Sequence, residues 1–543
     1  MITMNKPNII WILVDSVRNY TSSDKHGKLD VMQAFVKEGV EFTNAVSSAA
    51  STLMSTSSMF ASRQANYISR DFATFEYNRT MFPPLTDILK SNGYNTYTIH
   101  HYIYLRKRIS HVLHCVPKKD WPKGITKHRE WNDDEMNSIF FKLIKGGLKE
   151  PFFLHMHYNV VTGNTSTSKK VGAVLKELKK KNLYDNSIII LCSDHGYPDL
   201  TRTKFTLKQK ILEGHDLFVT DDNIMIPLII KYPGCPKNIK IADVVSSLDI
   251  ATTILSLLKI PYKKYGLEGL NLLKLISGEK TSQRKIRTDT RYYFQQNKIT
   301  SLRGNRYKYT YYFEKPRGLN EGFFDIENDR LEQKNLINST NKEITNKLNE
   351  FRKEFNLSER KGLELQQKYL GQKFKNLLNN VEIKKANKVL VFGTSNVIFV
   401  NILLNNIINL LKNVSVDVII KRNPAKELKI NSKKINFIFS NLTYKDFKKR
   451  LNKIRRNKYD LIVIPLNNPL CIGYNQIFKI ASRIKADKVI KVDYNMGLIE
   501  ESNMWPAILK DLKKNLITDL FNLRTFAGNL LLLAKRIIFE KNF

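Results

Sequence analysis

From Asn8 to about Leu336, short apolar runs alternate with stretches of helical spacing: NIIWILV, FVKEGVEF, LTDILKSNG, PFFLHMHY, SIIILCSDHG and IPLIIKYPG follow one another in that order. LTDILKSNG reads as a helix. Runs such as NIIWILV and SIIILC show no polar alternation, which is the pattern of strands buried on both faces. The sequence therefore predicts an α/β fold, a mostly parallel sheet with helices on both faces. Between Asn338 and Lys388 the composition turns to Lys, Asn, Glu and Gln, and the segment reads as a solvated helical linker.

A second series then begins, KVLVFGTSN, a long apolar helix from Val397, VSVDVIIKR, KINFIFSN, YDLIVIPLNNP and KVIKVDYN. It predicts a smaller Rossmann-like α/β domain. Its first turn, FGTSN, lacks GxGxxG, so nothing assigns it a dinucleotide; a nucleotide-sugar, a partner protein or a purely structural role stay open. The expected division is 1–337 (catalytic), 338–388 (linker), 389–505 (Rossmann-like) and 506–543 (terminal helix). That last segment spaces Ile517, Leu520, Leu523, Ala527, Leu530, Ala534 and Ile537 near helical period among Arg524, Lys535, Arg536 and Lys541. Such a helix fits either a membrane interface or the surface of its own domain.

Composition changes this picture little. The 543 residues allow several domains, and 89 Lys and Arg against 50 Asp and Glu leave a net charge of +39, which favours anionic partners. The excess is spread through Lys- and Asn-rich segments such as KELKKK, which read as solvated helix faces, and no nucleic-acid-binding motif accompanies them. Four dispersed cysteines without CxxC spacing point to a reducing compartment. The first strand leaves no room for a secretion signal, and no run reaches the roughly 18 apolar residues that span a bilayer. The expected location is cytoplasmic, with peripheral contact at the inner face of the membrane through the terminal helix.

Candidate chemistry sits where two buried strands end. NIIWILV runs into Asp15, and SIIILCS into Asp194 and His195. Strand C-termini are where open α/β sheets carry their sites, and two carboxylates with an imidazole suggest a metal. Asp15 alone reads equally as a helix N-cap. Asp194 and His195 at the end of a buried strand need partners. A Ser/Thr-rich run, Ser47 to Ser58, follows Asp15 and reads as a loop entering a helix. PFFLHMHY places His155 and His157 on one strand face, and one of the two can be a core histidine. His100, His101, His111 and His114 lack a nearby carboxylate and read as structural or surface residues.

Taken in order, these segments resemble the sulfatase branch of the alkaline phosphatase superfamily over about residues 7–337. PNIIWILVDSVR is similar to the family's first strand and metal-binding Asp. STLMSTSSMFAS is similar to its nucleophile segment, with Met54 in place of a proline and Ser55 as the trailing serine. PFFLHMHY, SDHG and GHDLFVTDDNIMIPLIIKYPG follow, then VVSSLDIATTILSLLKI, LEGLNLLKLISGE and FFDIENDRLEQKNL. The resemblance implies one divalent ion held by Asp15, Thr52, Asp194 and His195, with manganese or zinc favoured over calcium or magnesium. It implies Thr52 as nucleophile, with His157 and His215 facing the substrate oxygens.

Besides Met54, the chain departs from the family in four places. Thr52 cannot become the formylglycine that true sulfatases make from Cys or Ser, and threonine occurs instead in relatives resembling phosphoethanolamine and phosphoglycerol transferases. The family's aspartate doublet is reduced to Asp15-Ser16, Thr56 stands where CxPSR carries its arginine, and YNVVTGNT supplies no second histidine. The expectation is a metal-dependent hydrolase or transferase acting on a phosphate or sulfate ester, set in a glycan context. The alternative is a degenerate relative that binds or scaffolds.

Overall fold

The computed structural model describes residues 6–496 apart from 23, 70–74, 103–104, 106–107, 122–129, 147, 161–162, 200–214, 280–282, 291–297, 314–319, 382, 384, 396, 412, 422–424, 426–427, 429–432, 441–453, 455–456, 467–473 and 494–495. The terminal segment 506–543 thus lies outside the described residues. The chain divides into two compact units, the first holding most of the chain up to Ser358 and the second residues 359–543 with the short segments 71–75 and 293–295.

In the first unit the apolar runs become strands β1 (Asn8–Val14), β2 (Val40–Val46), β3 (Asn95–His100), β4 (Phe152–Tyr158), β5 (Ser187–Ser193), β6 (Met225–Ile226), β7 (Leu228–Lys231) and β8 (Ile239–Ser246). They form one sheet in the order β3-β4-β1-β5-β7-β2-β6, with β8 beside β2. β1 lies at its centre, every residue buried. Ile10, Ile12 and Val14 pack with Ile139 and Phe140 of the helix Asp133–Lys145 and with Val171 and Val174 of the helix Asn164–Lys180. On the opposite face Trp11 stacks on Phe60 of the helix Thr52–Ala61, their rings 5.1 Å apart. A strand covered on both sides has no polar positions to spare, so its first acid appears only where it ends.

The sheet is mixed, where the strand pattern suggested a mostly parallel one. β3, β4, β1 and β5 are parallel, but β7 runs against both β5 and β2. The turn Asp221–Ile224 explains this: it lies against the C-terminal end of β5, Gly196 N–H donating to Asn223 O at 2.8 Å, so the chain re-enters the sheet from that end. A second, antiparallel sheet of β9 (Ile286–Asp289), β10 (Ile299–Arg303), β11 (Tyr307–Tyr312) and β12 (Glu321–Asp325) completes the unit.

The segment expected as a solvated linker holds a helix, Lys342–Asn380, whose first turns belong to the core of this unit. Leu348, Phe351 and Phe355 are buried against Leu302, Tyr309 and Phe323 of the second sheet, and Arg352 pairs with Glu321 at 2.6 Å.

The second unit is a five-stranded parallel sheet of β13 (Lys388–Gly393), β14 (Ser415–Ile420), β15 (Ile435–Phe439), β16 (Tyr459–Pro465) and β17 (Ala486–Val492). Its order, β15-β14-β13-β16-β17, is the doubly wound order with the crossover beside β13.

Candidate active site

Asp15 follows β1 and Asp194 follows β5. Because β1 pairs with β5 in register from Asn8 with Ser187 to Val14 with Ser193, the two acids leave the sheet side by side. Both are buried, Asp194 fully. Asp194 Oδ1 accepts the backbone N–H groups of His195 at 2.9 Å and Ser16 at 3.2 Å, and its Oδ2 has no hydrogen-bond partner among the described residues. His195 Nδ1 lies 2.8 Å from Gly196 O, which makes Nδ1 a protonated donor and turns Nε2 toward the acids. Gly196 is required here, since a Cβ would meet Asp222 O at 2.2 Å.

Thr52 opens the helix Thr52–Ala61. Its hydroxyl donates to Asp15 Oδ1 at 3.0 Å and lies 3.2 Å from His195 Nε2. The helix N-terminus adds the partial positive charge of its unpaired amides. Ser55 faces the same way but is committed elsewhere, donating to Asp194 O at 2.8 Å. Of the hydroxyls in the Ser47–Ser58 run, Thr52 is thus the one that structure places against both an acid and an imidazole of the cluster.

Two buried carboxylates this close are unfavourable without a cation. Burial pushes the Asp194 carboxyl up to about 7 against the pull of His195, and Asp15 adds to the rise. Burial opposes the His195 imidazolium, but Asp194 and Asp15 outweigh it and hold that group above its ordinary value. Ligand atoms of Asp15, Asp194 and His195 all lie within 4.8 Å of one another. With Asp194 Oδ2 orphaned among them, this donor set of two carboxylates, an imidazole and a hydroxyl fits a divalent ion.

His157 closes the site on the β4 side, its Nε2 3.8 Å from Asp194 Oδ2. Burial lowers its imidazole to about 3, so it is neutral. His215 begins a short turn, His215–Leu217, and its side chain lies outside the described residues.

Three residues that the sequence pattern passed over also belong to this neighbourhood. Tyr102 OH donates to Asp15 Oδ2 at 2.9 Å and accepts from Asn159 Nδ2 at 2.6 Å. His100, read as structural or surface, is fully buried with its ring 4.3 Å from that of His157. Strand pairing could have revealed His100, because it lies opposite His157 in β3 and β4. No sequence signal marked Tyr102 or Asn159.

The chain matches two family models. "Sulfatase" covers residues 7–161 and 159–260, and "N-sulphoglucosamine sulphohydrolase, C-terminal" covers 215–358. The first unit is a sulfatase-family domain. Curated relatives of this sulfatase domain include the Delta 4,5-hexuronate-2-O-sulfatase of Bacteroides thetaiotaomicron, 28% identical over 31% of this chain and 34% of that protein. The choline-sulfatase of Rhizobium meliloti is 25% identical over 31% of this chain and 30% of its own length. The match thus spans about a third of the length of these relatives.

Among solved structures, a 2-O GAG sulfatase superposes on this chain with a TM-score of 0.51, at 17% identity over 66% of this chain and 92% of the other. A protein in complex with its substrate D-glucosamine-2-N,6-O-disulfate gives 0.52, at 13% identity over 66% and 98%. These likenesses are of fold. Within the sulfatase domain Thr56 is a buried side chain whose hydroxyl has no hydrogen-bond partner among the described residues.

Proposed function

We propose that the sulfatase domain cleaves a phosphate or sulfate ester of a saccharide through a Thr52 nucleophile beside one divalent ion. The observation that carries this reading is the position of Thr52 Oγ1, 3.0 Å from Asp15 Oδ1 and 3.2 Å from His195 Nε2. A threonine hydroxyl is a weak nucleophile at neutral pH and needs its proton drawn away. A divalent ion held by Asp15, Asp194 and His195 would supply Lewis acidity, lowering the pKa of a nearby hydroxyl and neutralising charge on the tetrahedral group under attack.

The chain's own residues account for the rest. Thr52 donates its hydroxyl proton toward Asp15 and directs a lone pair away from it, into the space bounded by His157 and His195. Attack forms a bond from Thr52 Oγ1 to the tetrahedral centre and breaks the bond to the substrate oxygen, which leaves as an alkoxide and takes a proton from solvent water. Water then resolves the ester by attack at the same centre, and the departing Thr52 oxygen recovers the proton held at Asp15. Neutral His157 donates to a non-bridging oxygen, where charge grows in the transition state. Transfer to an acceptor hydroxyl is the chemical alternative to water, and the names of the matched relatives favour hydrolysis. The saccharide class rests on those same names, a hexuronate sulfatase among them.

The test is turnover of p-nitrophenyl phosphodiester, phosphomonoester and sulfate by purified protein, with and without added Mn²⁺ or Zn²⁺. Turnover of one of the three is expected, dependent on the ion, abolished in Thr52→Ala and partly kept in Thr52→Ser. Full activity in Thr52→Ala removes the nucleophile, and no bound ion with no turnover leaves a binding or scaffolding protein.

A further inference from the structure

We propose that Ser16, assisted by Tyr102, is the positioning residue that turns one oxygen of each carboxylate toward a single ion; the inference rests on the metal reading above. Ser16 is held at φ +59°, a left-handed conformation costly for a residue with a Cβ. That conformation lets one residue reach both acids. Its hydroxyl donates to Asp15 Oδ2 at 2.8 Å while its backbone N–H donates to Asp194 Oδ1 at 3.2 Å. Each of those oxygens receives a second donor, Tyr102 OH on Asp15 Oδ2 at 2.9 Å and His195 N–H on Asp194 Oδ1 at 2.9 Å. Asn159 in turn holds the Tyr102 hydroxyl at 2.6 Å.

The oxygens left facing the cluster are Asp15 Oδ1 and Asp194 Oδ2, which lie 3.7 and 3.5 Å from His195 Nε2. A carboxylate with one oxygen already engaged by two donors offers a metal the other oxygen alone. The site therefore presents two single oxygens, one imidazole and one hydroxyl. That set suits Mn²⁺ or Zn²⁺ better than Ca²⁺, because Ca²⁺ prefers a larger, all-oxygen set of ligands. The Ser16 hydroxyl thus does at this position what an acidic side chain could not: it restrains a ligand by donating a hydrogen bond, and adds no negative charge.

The test is ion binding to the full chain, measured by calorimetry with Mn²⁺ and Ca²⁺. Ser16→Gly keeps the backbone N–H and relieves the left-handed strain, so the ion-free variant should melt no lower than wild type. It should nevertheless bind Mn²⁺ about tenfold more weakly, as loss of an outer-shell partner costs, with a smaller loss for Ca²⁺. The Mn²⁺-to-Ca²⁺ preference should narrow, a change that a merely structural role would not produce. Tyr102→Phe should weaken Mn²⁺ in the same direction, and carries the test independently if Ser16→Gly fails to fold. Wild-type affinity and preference in both variants would overturn the positioning role alone. A wild-type protein that binds neither ion overturns the metal reading, and this inference with it.

Discussion

His155 and His157 share a face of one strand, yet their surroundings assign them opposite fates. His155 is fully buried, its ring 5.0 Å from that of Phe60 and 5.6 Å from that of Trp11, and neither nitrogen has a hydrogen-bond partner among the described residues. Burial, and after it the neighbouring His157, holds its imidazole well below the ordinary value, so it is neutral. Methionine has a similar volume and no polar N–H. His155→Met therefore removes the desolvation cost of an unpaired donor, about 1–3 kcal/mol, against a repacking cost that volume-conserving swaps keep below about 1.5 kcal/mol.

The expected result is a gain of about 1 kcal/mol at pH 7.5, with catalysis retained. Below pH 6.5 the unfolded wild-type chain binds a proton at this histidine that the folded chain does not, so wild-type stability falls as pH drops. At pH 5.5 the variant should accordingly lead by about 1.4 kcal/mol more than at neutral pH. Urea unfolding at both pH values measures the difference. A loss above about 2 kcal/mol, or a fall in turnover as large as in His157→Asn, would refute the assignment of His155 to the core, since core swaps of this kind are mild.

The same linkage applies to His26, which burial lowers to about 4, with Lys25 and Arg18 also opposing the proton and Ser16 O and Asp24 favouring it. Its contribution, on the order of 3 kcal/mol, is lost as pH falls from 6.5 toward 4, so His26→Phe, keeping the stack on Tyr197, should flatten that limb of an unfolding series. An unchanged slope would contradict the burial argument. Lys308 is fully buried between Asp221 and Glu332, both at 3.0 Å, so Lys308→Met removes the cation the two acids share, Asp221 keeping Arg303 at 3.0 Å, and should cost about 3 kcal/mol in urea unfolding. A loss under 1 kcal/mol would show the pair to be solvated, as surface pairs are. Saturating Mn²⁺, at about a hundredfold its Kd, should stabilise the wild type by about 2.7 kcal/mol and Asp194→Asn by far less. Equal melting temperatures with and without the ion in the wild type would argue against an ion bound to the folded state.

Why some of this was legible in the sequence and some not follows from range. Asp15 and Asp194 stood out because each ends an unbroken apolar run, and parallel pairing of such runs brings their ends together. Thr52 emerged through a motif, and in the fold it is the first residue of a helix, its hydroxyl against Asp15 and His195. Tyr102 reaches Asp15 across 87 positions, from a segment without periodicity, and only three-dimensional closure brings them together. The direction of β7 was equally hidden, because strand patterns carry face and length but no sense of travel. The helix Lys342–Asn380 is a different case. Its Leu348, Phe351 and Phe355 keep helical spacing and mark a buried stripe, but the surrounding Lys, Asn and Glu made the whole segment read as solvated.

The second unit shows what topology can argue when a motif is missing. In its strand order the crevice for a ligand should open between the C-terminal ends of β13 and β16. There the Thr394 hydroxyl donates to Pro465 O at 2.9 Å, tying the two strand ends together, and Tyr474 OH donates to Thr394 O at 3.2 Å. Gly393, the one glycine of FGTSN, is accounted for by packing, since a Cβ would come within 2.7 Å of the Ile420 side chain. A dinucleotide needs glycine so that the backbone can approach the pyrophosphate, and here the two positions after Gly393 carry Thr394 and Ser395 side chains. Calorimetric titration of the full chain with NAD and NADP should therefore show no saturable heat. Micromolar binding of either, lost on substitution of Thr394 by a bulky residue, would mean that the Thr394 to Pro465 tie opens for a ligand and that strand order outweighs the missing glycines.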